Sequence, residues 1–186
     1  MSLVTLQDVK KDYTVGKVTV PALRGVSMEI GKGEFTAVVG PSGSGKTTIM
    51  NLVGGLDVPS KGKVTVGGTD LSSLSSKALS DMRLHKVGFV FQAYNLVPVL
   101  SAAENVEFVL QLQGVSGSER RKRSKAVLED VGLGDLGSRR PAEMSGGQQQ
   151  RDAVARAIVG KPELVLADEP TANLDTKTGE ELLDLM

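Results

Sequence analysis

The sequence contains no cysteine and no tryptophan. Disulfide staples and thiolate metal sites are thereby excluded, which agrees with a reducing compartment. Four Phe and two Tyr among 186 residues leave little material for stacking successive nucleobases. Charge of either sign is not in excess, with 22 Lys plus Arg against 22 Asp plus Glu, and this balance argues against a dedicated nucleic-acid binder. No apolar run approaches the ~18 residues that a membrane helix needs. The start, Met1-Ser-Leu-Val-Thr-Leu-Gln-Asp8, lacks the basic and apolar regions of a secretory signal, so the cytosol is the expected compartment. The length allows one domain with a full core, or a domain that has lost a piece. What is abundant is Gly, 22 of 186 residues against ~7% in average usage, and it is clustered.

The periodicity predicts short strands and turns over the first thirty-five residues: alternation from Val4 to Val9, a second stretch around Val15 to Val20, and a third from Leu23 to Ile30, with antiparallel pairing. Phe35-Thr-Ala-Val-Val39 reads as a buried strand, followed by a Gly-rich loop and a helix with Ile49, Leu52, Val53 and Leu56 on one face. Lys63 to Val66 reads as a small strand closing on Gly67-Gly68, Leu71 to Arg83 as weakly helical, and Lys86 to Phe91 as a strand. Helices dominate from Ser101 to about Val131, with Val106, Val109, Leu110 and Leu112 on one face and Ala126, Val127, Leu128 and Val131 on another. Leu164 to Ala167 is a further buried strand. Strands alternating with helices argue for an α/β core with a mostly helical insertion.

Gly40, Pro41, Ser42, Gly43, Ser44, Gly45, Lys46 and Thr47 satisfy G-x-x-x-x-G-K-[ST], after an apolar run and before an amphipathic segment. Gly lets the backbone curl around a phosphate with its amides turned inward, and the following helix aims its positive end at the same anion. Lys46 would bridge the β and γ phosphates of a nucleotide, and the Thr47 hydroxyl would take a place on Mg²⁺, with Thr48 next in the loop. Asp168, directly after the Leu164 to Ala167 strand, suits a second cation partner, and Glu169 a general base for the attacking water. The alternative is a solvated acidic pair capping the next element.

Met144-Ser145-Gly146-Gly147-Gln148, the helix that follows it and Ala172-Asn-Leu-Asp175 complete a pattern that resembles the nucleotide-binding domain of ABC transporters, with 144–148 matching the signature motif and 172–175 the D-loop. The resemblance covers essentially the whole chain. It implies an α/β P-loop NTPase fold with a RecA-like, mostly parallel core sheet, an N-terminal antiparallel β subdomain and a helical insertion: one domain over 1–186, its core at 1–94 and 151–186 and its helical part at about 95–150. It further implies a Mg²⁺-dependent ATPase that pairs head to tail, so that Ser145, Gly146, Gly147 and Gln148 of one copy close over ATP held by Lys46 of the other. Gln92 matches the Q-loop glutamine, a partner of the metal and of the attacking water. Tyr13 matches the aromatic that stacks on adenine, a partly buried structural Tyr being the alternative. Glu104-Asn105-Val106 resembles the start of the region that docks on a membrane permease, an ordinary capped helix start being the alternative.

Val20 to Ser27, Gly54-Gly-Leu-Asp57, Gly88 to Gln92 and Ala167 to Thr171 look most like the branch serving lipoprotein release, macrolide export and cell division. The implied role is an ATPase subunit at the cytosolic face of the cell membrane, attached through a permease. The family pattern also implies a switch-loop histidine about thirty residues after Glu169. His85 lies before Gln92 and is read as a surface or strand-flanking side chain, and the chain stops inside an amphipathic helix, so a fragment is expected, with a hydrolysis-incompetent nucleotide-binding module or a non-transport ABC ATPase as the alternatives. Asp152 departs from the family's apolar residue and is read as a surface pair with Arg156 near the helix start. Ala172 departs from the Gly usual in this branch. The basic run Arg120 to Arg123 with Lys125 reads as a solvated helix face, an anionic-lipid or nucleic-acid patch being the alternative.

Overall fold

The computed structural model describes residues 2–186. The chain forms two compact units, one ending at Arg83 and one running from Leu84 to Met186.

In the first unit, β1 (Ser2–Val15) and β2 (Val18–Gly31) form a long antiparallel hairpin, paired from Ser2 with Gly31 to Val15 with Val18. The alternation of Val4, Leu6 and Val9 is interrupted by a register shift between Leu6 and Val9, which keeps all three side chains in the core across the irregularity. β3 (Lys61–Val66) pairs antiparallel with the other side of β1, and β4 (Thr69–Asp70) with β3, giving the order β2-β1-β3-β4. Helix α1 (Lys46–Val53) contributes Leu52 and Val53 to the core of this unit. Helix α2 (Ser76–Lys86) contributes Leu79 and Met82 and runs across the boundary between the units. Leu56 does not extend the apolar face of α1: the helix closes at Gly54, and Leu56 is left exposed beyond the cap.

The expected strand Phe35–Val39 does not form. These residues have no ladder partner among the described residues, and Phe35 and Val39 are 73% and 90% exposed. A strand exists only through the hydrogen bonds of a neighbour, so an apolar run without one is left irregular.

The second unit is built on a parallel pair, β5 (Val87–Val90) and β6 (Leu164–Ala167), in register from Val87 with Leu164 to Val90 with Ala167. The parallel order agrees with the α/β expectation, but β6 is half-exposed rather than buried, because β5 is its only partner among the described residues. Helices α3 (Ala102–Leu112), α4 (Gly117–Asp130) and α5 (Gly146–Ile158) enclose a cluster that includes Val106, Leu110, Leu128, Leu133 and Val159, and α6 (Thr176–Leu185) adds Leu182 to a second cluster with Val90 and Val154. Each fully buried side chain of this size contributes ~1.5–3 kcal/mol. That term, rather than helix propensity, holds the Arg-rich α4 in place through Val127 and Leu128. Two positions differ from the expected faces: Leu112 and Ala126 are exposed, whereas Ser124 is buried with its hydroxyl on Ala103 O at 3.2 Å. Of the basic run, Arg121, Lys122 and Lys125 are exposed, whereas Arg120 and Arg123 are half-buried and ion-paired, Arg123 to Glu119 at 2.7 Å and Arg120 to Glu107 at 3.7 Å. His85 is exposed on α2. No helix among the described residues is long and apolar enough to cross a membrane.

Candidate functional site

The loop before α1 consists of turns that Gly permits. Gly43 and Gly45 adopt φ of 78° and 94°, the left-handed region that costs an L side chain energy, and a Cβ on Gly45 would stand 2.7 Å from Leu23 Cδ2. Helix α1 has no side-chain cap and no acidic residue in its first turn, so no residue of its own first turn offsets its positive end. Lys46 Nζ donates to Gly40 O at 2.8 Å and Pro41 O at 3.2 Å, which fixes the ammonium against the loop that precedes its own helix. Thr47 is exposed in that first turn. One ammonium, a helix N-terminus and no carboxylate between residues 40 and 48 are the chemistry of a polyphosphate cradle.

In the second unit the parallel register of β5 and β6 brings two other predicted groups together. Gln92 lies two residues beyond the end of β5 and Asp168 directly follows β6, so both leave the carboxyl ends of neighbouring parallel strands, where open α/β sheets bind ligands. Asp168 N–H extends the ladder to Val90 O at 2.9 Å. Glu169 is exposed at φ 46°, a conformation that non-Gly residues avoid and that is concentrated at functional sites. Asn173 of the predicted D-loop donates to Gln92 O at 2.9 Å. Among the described residues no three His, Asp or Glu side chains are grouped to hold a metal ion.

Ser145 caps α5 with a reciprocal box: its hydroxyl accepts from Gln148 N–H at 3.3 Å, and Gln148 Oε1 accepts from Ser145 N–H at 2.9 Å. The two glycines between them are sites of close approach, since a Cβ on Gly146 would lie 2.9 Å from Tyr94 Oη and one on Gly147 2.6 Å from Thr178 Cγ2. Ser145 to Gln148, Arg151, Asn173, Asp175 and Thr178 line a cleft of ≈ 470 Å³. The Asp175 carboxylate accepts from the Thr178 hydroxyl at 2.7 Å and the Thr178 N–H at 3.1 Å; these bonds hold its pKa below the usual value and cap α6. The signature and D-loop motifs, distant in sequence, thus form the walls of one cleft.

Tyr13 is 37% exposed near the end of β1, and its hydroxyl donates to Asp57 Oδ2 at 2.9 Å. Lys11, two residues earlier on β1, is buried; its Nζ lies 2.6 Å from Asp57 Oδ1, 2.8 Å from Val58 O and 4.9 Å from the Tyr13 ring centroid. Burial pushes the Asp57 carboxyl up, but the hydrogen bonds from Lys11, Val58 N–H and Tyr13, with the charge of Lys11, outweigh it and leave the pKa lowered. Sequence reasoning singled out Tyr13 and gave Asp57 no role. The two are 44 residues apart, and no local pattern connects them.

Asp152 corrects the expectation of a surface pair. It is fully buried in the second turn of α5, and neither carboxylate oxygen has a hydrogen-bond partner. The cause is tertiary: α5 packs against β5, α3, α4 and α6, which leaves that face no solvent. Burial pushes the carboxyl up to about 7, against the opposing pull of the Arg156 guanidinium. Arg156 is itself engaged, donating to Asn95 O at 2.5 Å and Tyr94 O at 3.0 Å. Glu104 and Asn105 form a capped helix start: Ser101 and Glu104 make a capping box, and the buried Asn105 amide exchanges hydrogen bonds with Val97 N–H and O, Leu100 O and Ser101 O.

Comparison with known proteins matches residues 23–172 to the ABC transporter family model. An uncharacterized ABC transporter ATP-binding protein of Thermotoga maritima is 54% identical over 180 residues, covering 97% of this chain and 77% of that protein. The lipoprotein-releasing system ATP-binding protein LolD of Pseudomonas fluorescens is 46% identical, covering 100% of this chain and 82% of its own. The macrolide export ATP-binding/permease protein MacB of Syntrophobacter fumaroxidans is 47% identical over 98% of this chain, which corresponds to 26% of that longer protein. Among solved structures, the dimeric post-hydrolysis state of the ATP-binding cassette MJ0796 with ADP and Pi superposes with a TM-score of 0.90 at 44% identity, covering 98% of this chain and 80% of that one.

Proposed function

The chain belongs to the ABC transporter family as an ATP-binding, ATP-hydrolysing subunit, and from that premise we propose which of its residues do the work and what the work drives. Gly40 to Thr48 wrap the triphosphate, with Lys46 on the β and γ phosphates. Thr47, Gln92 and Asp168 would hold Mg²⁺, which when bound neutralises phosphate charge. A hydroxyl, an amide carbonyl and a carboxylate are hard oxygen donors of the kind this ion takes alongside nucleotide phosphates rather than from an all-protein cage. Glu169 accepts the proton of the water that attacks the γ-phosphorus as the bond to the β-phosphate bridging oxygen breaks and ADP leaves, an assistance worth typically 10² to 10⁴ in rate. Tyr13 stacks on the adenine. Ser145, Gly146, Gly147 and Gln148 of a second copy complete the pocket, supported by the cleft they share with the D-loop.

The machine so powered is a membrane permease of the lipoprotein-release or macrolide-export type, with this subunit peripheral on the cytosolic face, a reading supported by the relatives named LolD and MacB. Its core spans 1–94 and 151–186 and its helical part about 95–150. The observation that carries the catalytic assignment is the placement of Gln92 and Asp168-Glu169 at the carboxyl ends of the paired β5 and β6, with Glu169 held at positive φ. Hydrolysis of ATP with Mg²⁺ by the purified chain tests it. Glu169→Gln is expected to lower turnover by at least ~10² while retaining ATP binding, and Lys46→Ala to weaken binding itself. Parental turnover in Glu169→Gln would remove Glu169 from the mechanism.

A further inference from the structure

Helix α1 begins at the phosphate cradle, and the loop at its far end holds Asp57. Asp57 N–H and Leu56 N–H both donate to Asn51 O, at 3.2 and 2.8 Å, so this loop is tied to the last turn of the helix. The Asp57 carboxylate then reaches β1: Oδ1 accepts from Lys11 at 2.6 Å and from Val58 N–H at 2.7 Å, and Oδ2 accepts from Tyr13 at 2.9 Å. The Tyr13 ring is therefore pinned at its hydroxyl, and one of its faces is covered by the Lys11 ammonium. An exposed tyrosine on a strand would otherwise sample several rotamers. Here the ring, 37% exposed and already oriented, has only the face away from Lys11 left for a planar partner.

We propose that Asp57, assisted by Lys11, is the positioning residue of the base platform: it holds the Tyr13 ring in one orientation so that a nucleobase stacks on its open face at a distance from the phosphate cradle set by α1. This rests on the reading of Tyr13 as the stacking residue. A single rigid element of eight residues, ~12 Å long, thus carries the phosphate loop at one end and the clamp of the base platform at the other. Because stacking uses the π face, which every base has, the clamp governs affinity for nucleotides over bare polyphosphate rather than the choice among bases.

The experiment compares binding of ATP and of inorganic tripolyphosphate to the full chain by isothermal titration calorimetry. A ring that is no longer pre-oriented pays its ordering cost on binding, so Asp57→Asn and Tyr13→Phe are each expected to weaken ATP about three- to tenfold with tripolyphosphate unchanged. Tyr13→Phe keeps the ring and the fold and loses only the bond to Asp57, so it carries the test if Asp57→Asn is unstable. In a Tyr13→Ala background, Asp57→Asn should add nothing further. Equal weakening of both ligands by Asp57→Asn, or parental ATP affinity in both Asp57→Asn and Tyr13→Phe while Tyr13→Ala weakens ATP, overturns the clamp and leaves the stacking reading standing. An unchanged ratio of ATP to tripolyphosphate affinity in Tyr13→Ala overturns the stacking reading and the clamp with it.

Discussion

Replacing Asp152 by Asn should stabilise the protein at alkaline pH and leave it unchanged at acid pH. The carboxyl is fully buried and without hydrogen-bond partners, and burial raises it to about 7 from the 3.8 of an exposed aspartate, despite the Arg156 guanidinium nearby. The folded state therefore holds a proton that the unfolded chain has released, and between those two values stability falls as pH rises. The full difference is about three pH units at 1.36 kcal/mol each, or ~4 kcal/mol lost between pH 4 and pH 8. Asn keeps the shape and removes the charge, while its amide, equally short of partners, costs ~1–3 kcal/mol at every pH, as the protonated acid also does. Urea unfolding of both proteins from pH 5 to 8.5 measures the difference, in which the titrations common to both cancel. The expected curve already favours Asp152→Asn by ~1.5 kcal/mol at pH 5 and rises to ~4 kcal/mol above pH 8. A pH-independent difference, or one that favours Asp152 at high pH, would refute the argument and show that the carboxylate finds a partner.

Gly88→Ala should cost at least ~2 kcal/mol, because the added Cβ would lie 2.4 Å from Ala157 O and 3.2 Å from Pro162 Cγ, and the first of these is backbone that cannot rotate away; an unchanged urea midpoint would contradict the close approach of β5 and α5. Asn105→Ala should cost ~2–4 kcal/mol, since it strands the Val97 N–H and withdraws the donor shared by three carbonyls. A loss below ~0.5 kcal/mol, read from thermal unfolding, would mean that water replaces the amide.

The placement of the Gly-rich loop, the acidic pair and the Ser145 to Gln148 segment was legible because each is a contiguous pattern with a local backbone consequence: Gly45 at positive φ, Asp168 at a strand end, Ser145 at a helix start. Antiparallel pairing of the first thirty residues was legible from alternation, but the stretch read as a strand around Val15 to Val20 holds the turn that joins β1 to β2. Properties that depend on distant partners were not. Phe35 to Val39 has the composition of a strand, but composition does not supply a neighbour to bond with. Asp152 and Arg156 have the spacing of a surface pair, and only the packing of four other elements around α5 shows that the carboxylate is buried. Asp57 stands in a contiguous Gly-Gly-Leu-Asp motif that says nothing of Tyr13, and its bond to Tyr13 crosses 44 residues.

Helix α5 makes direct bonds to main chain at both of the loops that follow the parallel strands. Gln150 Nε2 donates to Pro170 O at 2.8 Å, beside Glu169, and Arg156 donates to the carbonyls of Tyr94 and Asn95, just past Gln92. The helix whose tip is Ser145 is thus a crossbar ~20 Å long, tied to the main chain of both loops by its Gln150 and Arg156 side chains. A tilt applied at the tip would be passed to both loops at once. Their motions would be simultaneous rather than sequential, and no relay of intervening residues is required to synchronise them.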